Sequence, residues 1–175
     1  CALPISLEAP LFSQLYSTRG SFSGLLVLDS TQADSDMKAV DCLWFRPWQN
    51  AVQWYPWGWE EGLKLDLYAA NYNPARVGGV LPGLPALGSS GNANLAFNGG
   101  LLENEIIARL GIPATGALTR FTVAGAAAST SFSAALATAT GAITGTFTHE
   151  DNTKPNYFAQ IYQKGAFAGG YGYFL

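Results

Sequence analysis

Leu63-Lys64-Leu65-Asp66-Leu67-Tyr68 decides the fold class of this chain. Apolar and polar residues alternate without a break, and a period of two is the signature of a half-buried strand. Leu63, Leu65 and Leu67 are expected to face inward, with Lys64, Asp66 and Tyr68 outward or against a neighbour. Truncating Leu65 to alanine would then cost ~2–5 kcal/mol through lost burial and the cavity left behind. Working outward, the segment Cys42–Tyr72 around this run holds all five tryptophans, Trp44, Trp48, Trp54, Trp57 and Trp59. One reading of the cluster is a hydrophobic core. The other is an aromatic platform, formed by Trp54, Trp57 and Trp59, that stacks sugar rings or docks on a partner.

Upstream, Tyr16–Leu28 reads as a strand entered through a turn at Gly20, and Val40–Phe45 as another that Pro47 ends. Val52–Tyr55 is a short aromatic strand. Residues 71–91 carry three prolines and five glycines and form a long irregular loop. Asn94–Phe97 and Leu118–Val123 read as short strands. Between them, Leu101–Leu110 is the best helix candidate, because Leu102, Ile106 and Leu110 recur at a spacing of four and Gly111 would cap the end. Its short length also fits a pair of strands. Beyond residue 130 the chain reads as a meander with strand candidates at 131–139, 142–149, 156–164 and 165–175. Gly20–Gly24 (GSFSG), Gly141–Gly145 (GAITG) and Gly165–Gly169 (GAFAG) are similar to one another. In each, the second glycine would let a neighbouring side chain lie over the backbone. The expected architecture is all-β: an antiparallel β-sandwich or flattened barrel of about ten strands, with at most one short helix.

Residues 1–15 stand apart from this single β domain, expected over residues 16–175. Leu3, Ile5, Leu7, Leu11 and Phe12 are too apolar for water, while Pro4 and Pro10 disfavour a central strand. The segment reads as an extended arm. It either adds to a sheet edge of another subunit or folds back as an ordinary edge strand of its own domain.

Composition narrows the function. The chain has 175 residues, of which only 12% are charged, and a formal net charge of −3. Nine Lys and Arg are spread thinly, so nucleic acid is not an expected partner. No apolar run approaches the ~20 residues of a membrane-spanning helix. Two cysteines, Cys1 and Cys42, permit one disulfide closing a long loop. A first-position cysteine is also what lipoprotein processing leaves, so Cys1 is alternatively a lipid anchor.

Catalytic constellations are not expected. His149, the only histidine, falls in a turn and reads as solvated. Glu60 and Glu61 are paired carboxylates near aromatics, but adjacent residues in a strand point to opposite faces. Asp29, Asp34 and Asp36 lie in one polar loop and offer oxygen ligands for calcium. Their spacing departs from the EF-hand pattern and the central glycine is missing, so a solvated loop is the simpler reading. No other metal or cofactor is expected.

Several stretches together carry a resemblance: GSFSGLLVL at 20–28, Trp44-Phe45-Arg46-Pro47, Tyr55-Pro56-Trp57-Gly58-Trp59, the run through Asn71-Tyr72-Asn73-Pro74, and the C-terminal TGAITGTFTH, YFAQIYQK and GGYGYFL. Over most of 16–175 the chain resembles a β-rich module of large secreted or cell-surface bacterial proteins, of planctomycete and verrucomicrobial type. The resemblance implies a structural or adhesive module without catalytic residues, extracellular or on the cell surface, whose partners are further copies or a larger assembly. Two alternatives stand beside it: a carbohydrate-binding module using the tryptophan cluster, and an accessory subunit of an envelope complex held by Cys1.

Overall fold

The computed structural model describes residues 7–50, 56–74, 79–113, 118–121 and 131–174. Among these, the protein is all-β and antiparallel, with eleven strands and one 3-10 turn at Gly165–Phe167. Every strand pairs only with its neighbours in sequence. Such meanders make compact units out of contiguous chain, and the polypeptide divides into two, residues 1–70 and 71–175, where a single domain with an arm was expected.

The first unit is one four-stranded sheet of β1 (Glu8–Leu15), β2 (Gly20–Leu28), β3 (Met37–Arg46) and β4 (Trp59–Ala69). Residues 8–15 of the expected arm are therefore the edge strand of their own sheet. They pair with β2 from Glu8 opposite Val27 to Leu15 opposite Gly20. Pro10 is tolerated because an edge strand has one side without ladder bonds. The remainder of the arm, residues 1–6, lies outside the described residues.

Leu63, Leu65 and Leu67 share a face, opposite Trp44, Cys42 and Ala39. Ala39 and Cys42 are three apart, yet both are buried, at 1% and 0% exposure. A period-two strand allows this only through a one-residue bulge, and β3 has one between them. Asp41 takes up the bulge in a left-handed conformation, φ 54°. Its backbone N–H donates to Asp66 Oδ1 at 3.0 Å, and Lys64 Nζ donates to Asp41 Oδ1 at 3.3 Å. The Cys42 thiol is free and packs over Gly24, where even a Cβ would collide with Sγ. Cys1, the proposed disulfide partner, lies outside the described residues.

Among the described residues of its unit, the sheet stays one layer deep. Leu63 and Leu65 line the expected face, yet Leu65 remains 36% exposed and Leu63 more so. The opposite face carries Phe12, Leu25 and Leu43, which are also exposed.

The second unit contains two sheets. One is β5 (Ala93–Phe97), β6 (Ile106–Gly111) and β7 (Thr119–Phe121); the other is β8 (Ala135–Ala137), β9 (Ala142–Thr146), β10 (Asn156–Tyr162) and β11 (Gly169–Phe174). Their inward residues merge into one core, a small sandwich. Phe97 stacks on Phe147 with centroids 4.0 Å apart, and Tyr157 and Phe174 meet these rings edge-on. Gly145 lies against Ser133 O and the Tyr157 hydroxyl, so a side chain there has no room. That hydroxyl donates to Ser133 O at 2.7 Å, and burial pushes it up to about 12.

The helix expected at 101–110 is absent. Residues 106–111 are strand β6, with Ile106, Ala108 and Leu110 buried. A spacing of four is also a multiple of two, so Leu102, Ile106 and Leu110 fit either period. The two sheets needed a strand, and β-branched Ile106 and Ile107 suit one. Residues 71–74 and 79–91 are irregular, as expected, but firmly tied. The buried Gln163 amide accepts from Asn73 N and donates to Asn73 O and Val80 O. Asn92 likewise exchanges hydrogen bonds with Ile112 and donates to Pro85 O.

Candidate functional site

The tryptophans lie on and beside the connection from β3 to β4. At its base, Trp44 and Trp59 meet edge-to-face with centroids 4.6 Å apart. The Arg46 guanidinium sits 5.3 Å from the ring centroids of both Trp59 and Tyr16, a double cation–π contact. Gly58, at φ 59°, passes so close to Arg46 O and Pro47 O that no Cβ would fit. The Gln49 N–H donates to Pro56 O at 2.8 Å, closing the loop across its neck. This anchored base directs the next tryptophans outward: Trp57 is 77% exposed and Trp48 is 46% exposed.

Trp48 and Trp57 line an open cleft of about 550 Å³ with Glu60 and Glu61. The Trp48 backbone N–H lies 3.4 Å from Glu60 Oε1 and donates to it. Both carboxylates reach one cleft because β4 is irregular there. Trp44 pairs with Leu63 and Arg46 with Trp59, so four steps of β4 run against two of β3. Gly62 turns through φ 83° to absorb the excess. The regular alternation that would send adjacent glutamates apart does not hold at this point.

The platform expected from Trp54, Trp57 and Trp59 is thus divided differently. Trp59 belongs to the packed base, Trp57 to the exposed rim, and Trp54 lies outside the described residues. Trp48 joins Trp57 instead. Sequence reasoning missed this grouping. The signal that pointed to it was Gly58 beside Trp57 and Gly62 beyond the glutamates, two residues suited to left-handed backbone.

Asp29 spends its carboxylate locally. Oδ1 accepts from Thr31 N at 3.0 Å and Thr31 Oγ1 at 2.6 Å, and Oδ2 accepts from Gln32 Nε2 at 3.1 Å. The Thr31 hydroxyl above all holds this carboxyl below its ordinary value. Among the described residues no group of three or more His, Cys, Asp and Glu side chains is arranged to hold a metal, and Asp29, Asp34 and Asp36 do not form one.

His149 is not the solvated residue expected. Its side chain is only 10% exposed. Nε2 lies 3.2 Å from Gly100 O, and Nδ1 lies 3.0 Å from Asp151 Oδ1. Next to it, Glu150 accepts from the backbone N–H groups of Glu103 and Asn104, at 2.8 and 3.1 Å. The Glu103 N–H in particular holds the Glu150 carboxyl below its usual range. These contacts tie two turns of the second unit together and have the character of scaffolding.

Comparison of the chain with protein-family models, with curated proteins and with solved structures gives no match.

Proposed function

We propose that this chain is a non-catalytic structural or adhesive module of a bacterial extracellular or cell-surface assembly, and that it associates with other copies of itself. The observation that carries this reading is the first unit's sheet. Its apolar face presents Leu63 and Leu65, both exposed, beside the partly buried Phe22, Leu26 and Trp44. A contiguous apolar patch of this kind marks an association surface in a soluble protein. The low charge, 12% of residues, adds little repulsion between copies. The resemblance of the strand motifs to secreted and cell-surface bacterial modules supports the location. No helix among the described residues is long and apolar enough to cross a membrane.

Sedimentation velocity over a concentration series tests the reading. Wild type is expected to self-associate as concentration rises. A Leu63→Ser, Leu65→Ser double variant with an unchanged far-ultraviolet spectrum is expected to sediment as a monomer. A wild type that stays monomeric up to its solubility limit overturns the reading.

A further inference from the structure

We infer that the cleft of Trp48, Trp57, Glu60 and Glu61 is a carbohydrate-binding site for a sugar without negative charge, laid across the Trp57 indole. The inference is separate from self-association, which is carried by Leu63 and Leu65 and not by the residues lining the cleft.

Exposure is the first observation. A tryptophan hides ~150–250 Å² when buried, yet Trp57 is left 77% exposed. It is not exposed for want of structure around it. The residues that follow it are packed: Gly58 lies against Arg46 O and Pro47 O, and Trp59 packs on Trp44 and the Arg46 guanidinium. A packed base carrying an exposed ring offers a surface formed before binding, which lowers the ordering entropy lost on binding.

The chemistry of the lining is the second observation. Two indoles offer flat apolar faces, and two glutamates offer acceptor-only oxygens. A pyranose has the complementary pair of features: an apolar face of C–H groups and a rim of hydroxyl donors. Hydrogen bonds from hydroxyls to carboxylates are charge-assisted and short. Among the described residues, no cationic side chain lines the cleft. Uronates, sulfated sugars and phosphates would meet two carboxylates without a counter-charge, so they are excluded. An amino sugar would gain from the same carboxylates and from the indole faces.

Shape is the third. Small cationic headgroups are recognised by aromatic cages that close around them. This cleft is open, with Trp57 standing on its rim, which suits a chain of sugars passing over it.

Affinity electrophoresis of the full chain tests the inference. The probes are gels containing laminarin, hydroxyethylcellulose, mannan, xylan or glycol chitosan, with alginate and heparin as anionic controls. Retardation in at least one of the five neutral or basic gels, and in neither anionic one, is expected. Trp57→Ala should weaken that binding about tenfold or more, as loss of an anchoring ring does. Glu60→Gln with Glu61→Gln should weaken it as well, and most for glycol chitosan. Near-ultraviolet circular dichroism checks that each variant keeps its fold, and the exposed Phe12→Ala serves as a control expected to bind like wild type. No retardation in any neutral or basic gel overturns the site, as do binding that survives Trp57→Ala in a folded protein, binding to alginate or heparin, and displacement of the sugar by choline. Trp57→Ala leaves sedimentation unchanged, and the Leu63→Ser, Leu65→Ser variant leaves sugar binding unchanged, so the two proposals fail separately.

Discussion

The two units of this protein are built by the same rule and end in opposite states. Each is an antiparallel meander of neighbouring strands. In the second, two sheets turn their inward faces to a common core, where Phe97, Phe147 and Tyr157 are all buried. In the first, the described residues form one sheet with no second layer of their own. Among its described apolar side chains only the small residues Ala39 and Cys42 are buried, and Leu63 and Leu65 on the same face are exposed. All five tryptophans belong to this thinner unit. A concentration of large aromatics therefore did not mark the core. Alternation is enough to form a sheet, but burial requires a second layer to close over it.

The sharpest way to break this comparison is Phe147→Ala. Phe147 is 1% exposed and touches three aromatic rings. Its loss should destabilise the second unit by ~3–5 kcal/mol, measured in a denaturant melt. A loss below about 1 kcal/mol would mean that the sandwich core is not where the second unit's stability resides.

Tyr157 sharpens the comparison next, through pH. Its hydroxyl is raised from 10.0 to about 12 by burial. The folded state thus favours the protonated form. The associated stability is fully present below pH 10 and is lost as pH rises from 10 toward about 12. Tyr157→Phe should lose about 1 kcal/mol at neutral pH, from the hydrogen bond to Ser133 O, and its melts should show a flatter alkaline decline. An alkaline decline identical to that of wild type would show that the phenol is not held as described.

Leu65→Ala has no pH signature and is the most direct probe of the first unit. Reading the sequence alone, a core leucine would lose ~2–5 kcal/mol. At 36% exposure in a single layer, the loss should be roughly 1 kcal/mol in a dilute melt. A value in the higher range at low concentration would show that the face is covered, and the contrast between the units would disappear.

Local pattern was sufficient for much of this. The alternation at 63–68 is β4. The glycine-punctuated runs after residue 130 are the four strands β8 to β11, apart from the 3-10 turn at Gly165–Phe167 that departs from the third glycine repeat. The all-β, antiparallel class follows from these runs, because period and turn chemistry are properties of a few adjacent residues. Tertiary structure decided the rest. Whether Leu102, Ile106 and Leu110 report a helix or a strand depended on the sheets beside them. The bulge at Asp41 depended on Asp66 from the next strand, and it alone explains why Ala39 and Cys42 are buried together. The union of Trp48, Trp57, Glu60 and Glu61 depended on two extra residues of β4 set against β3. Each of these is a matter of register between strands, and register is settled by partners distant in sequence that no local period describes.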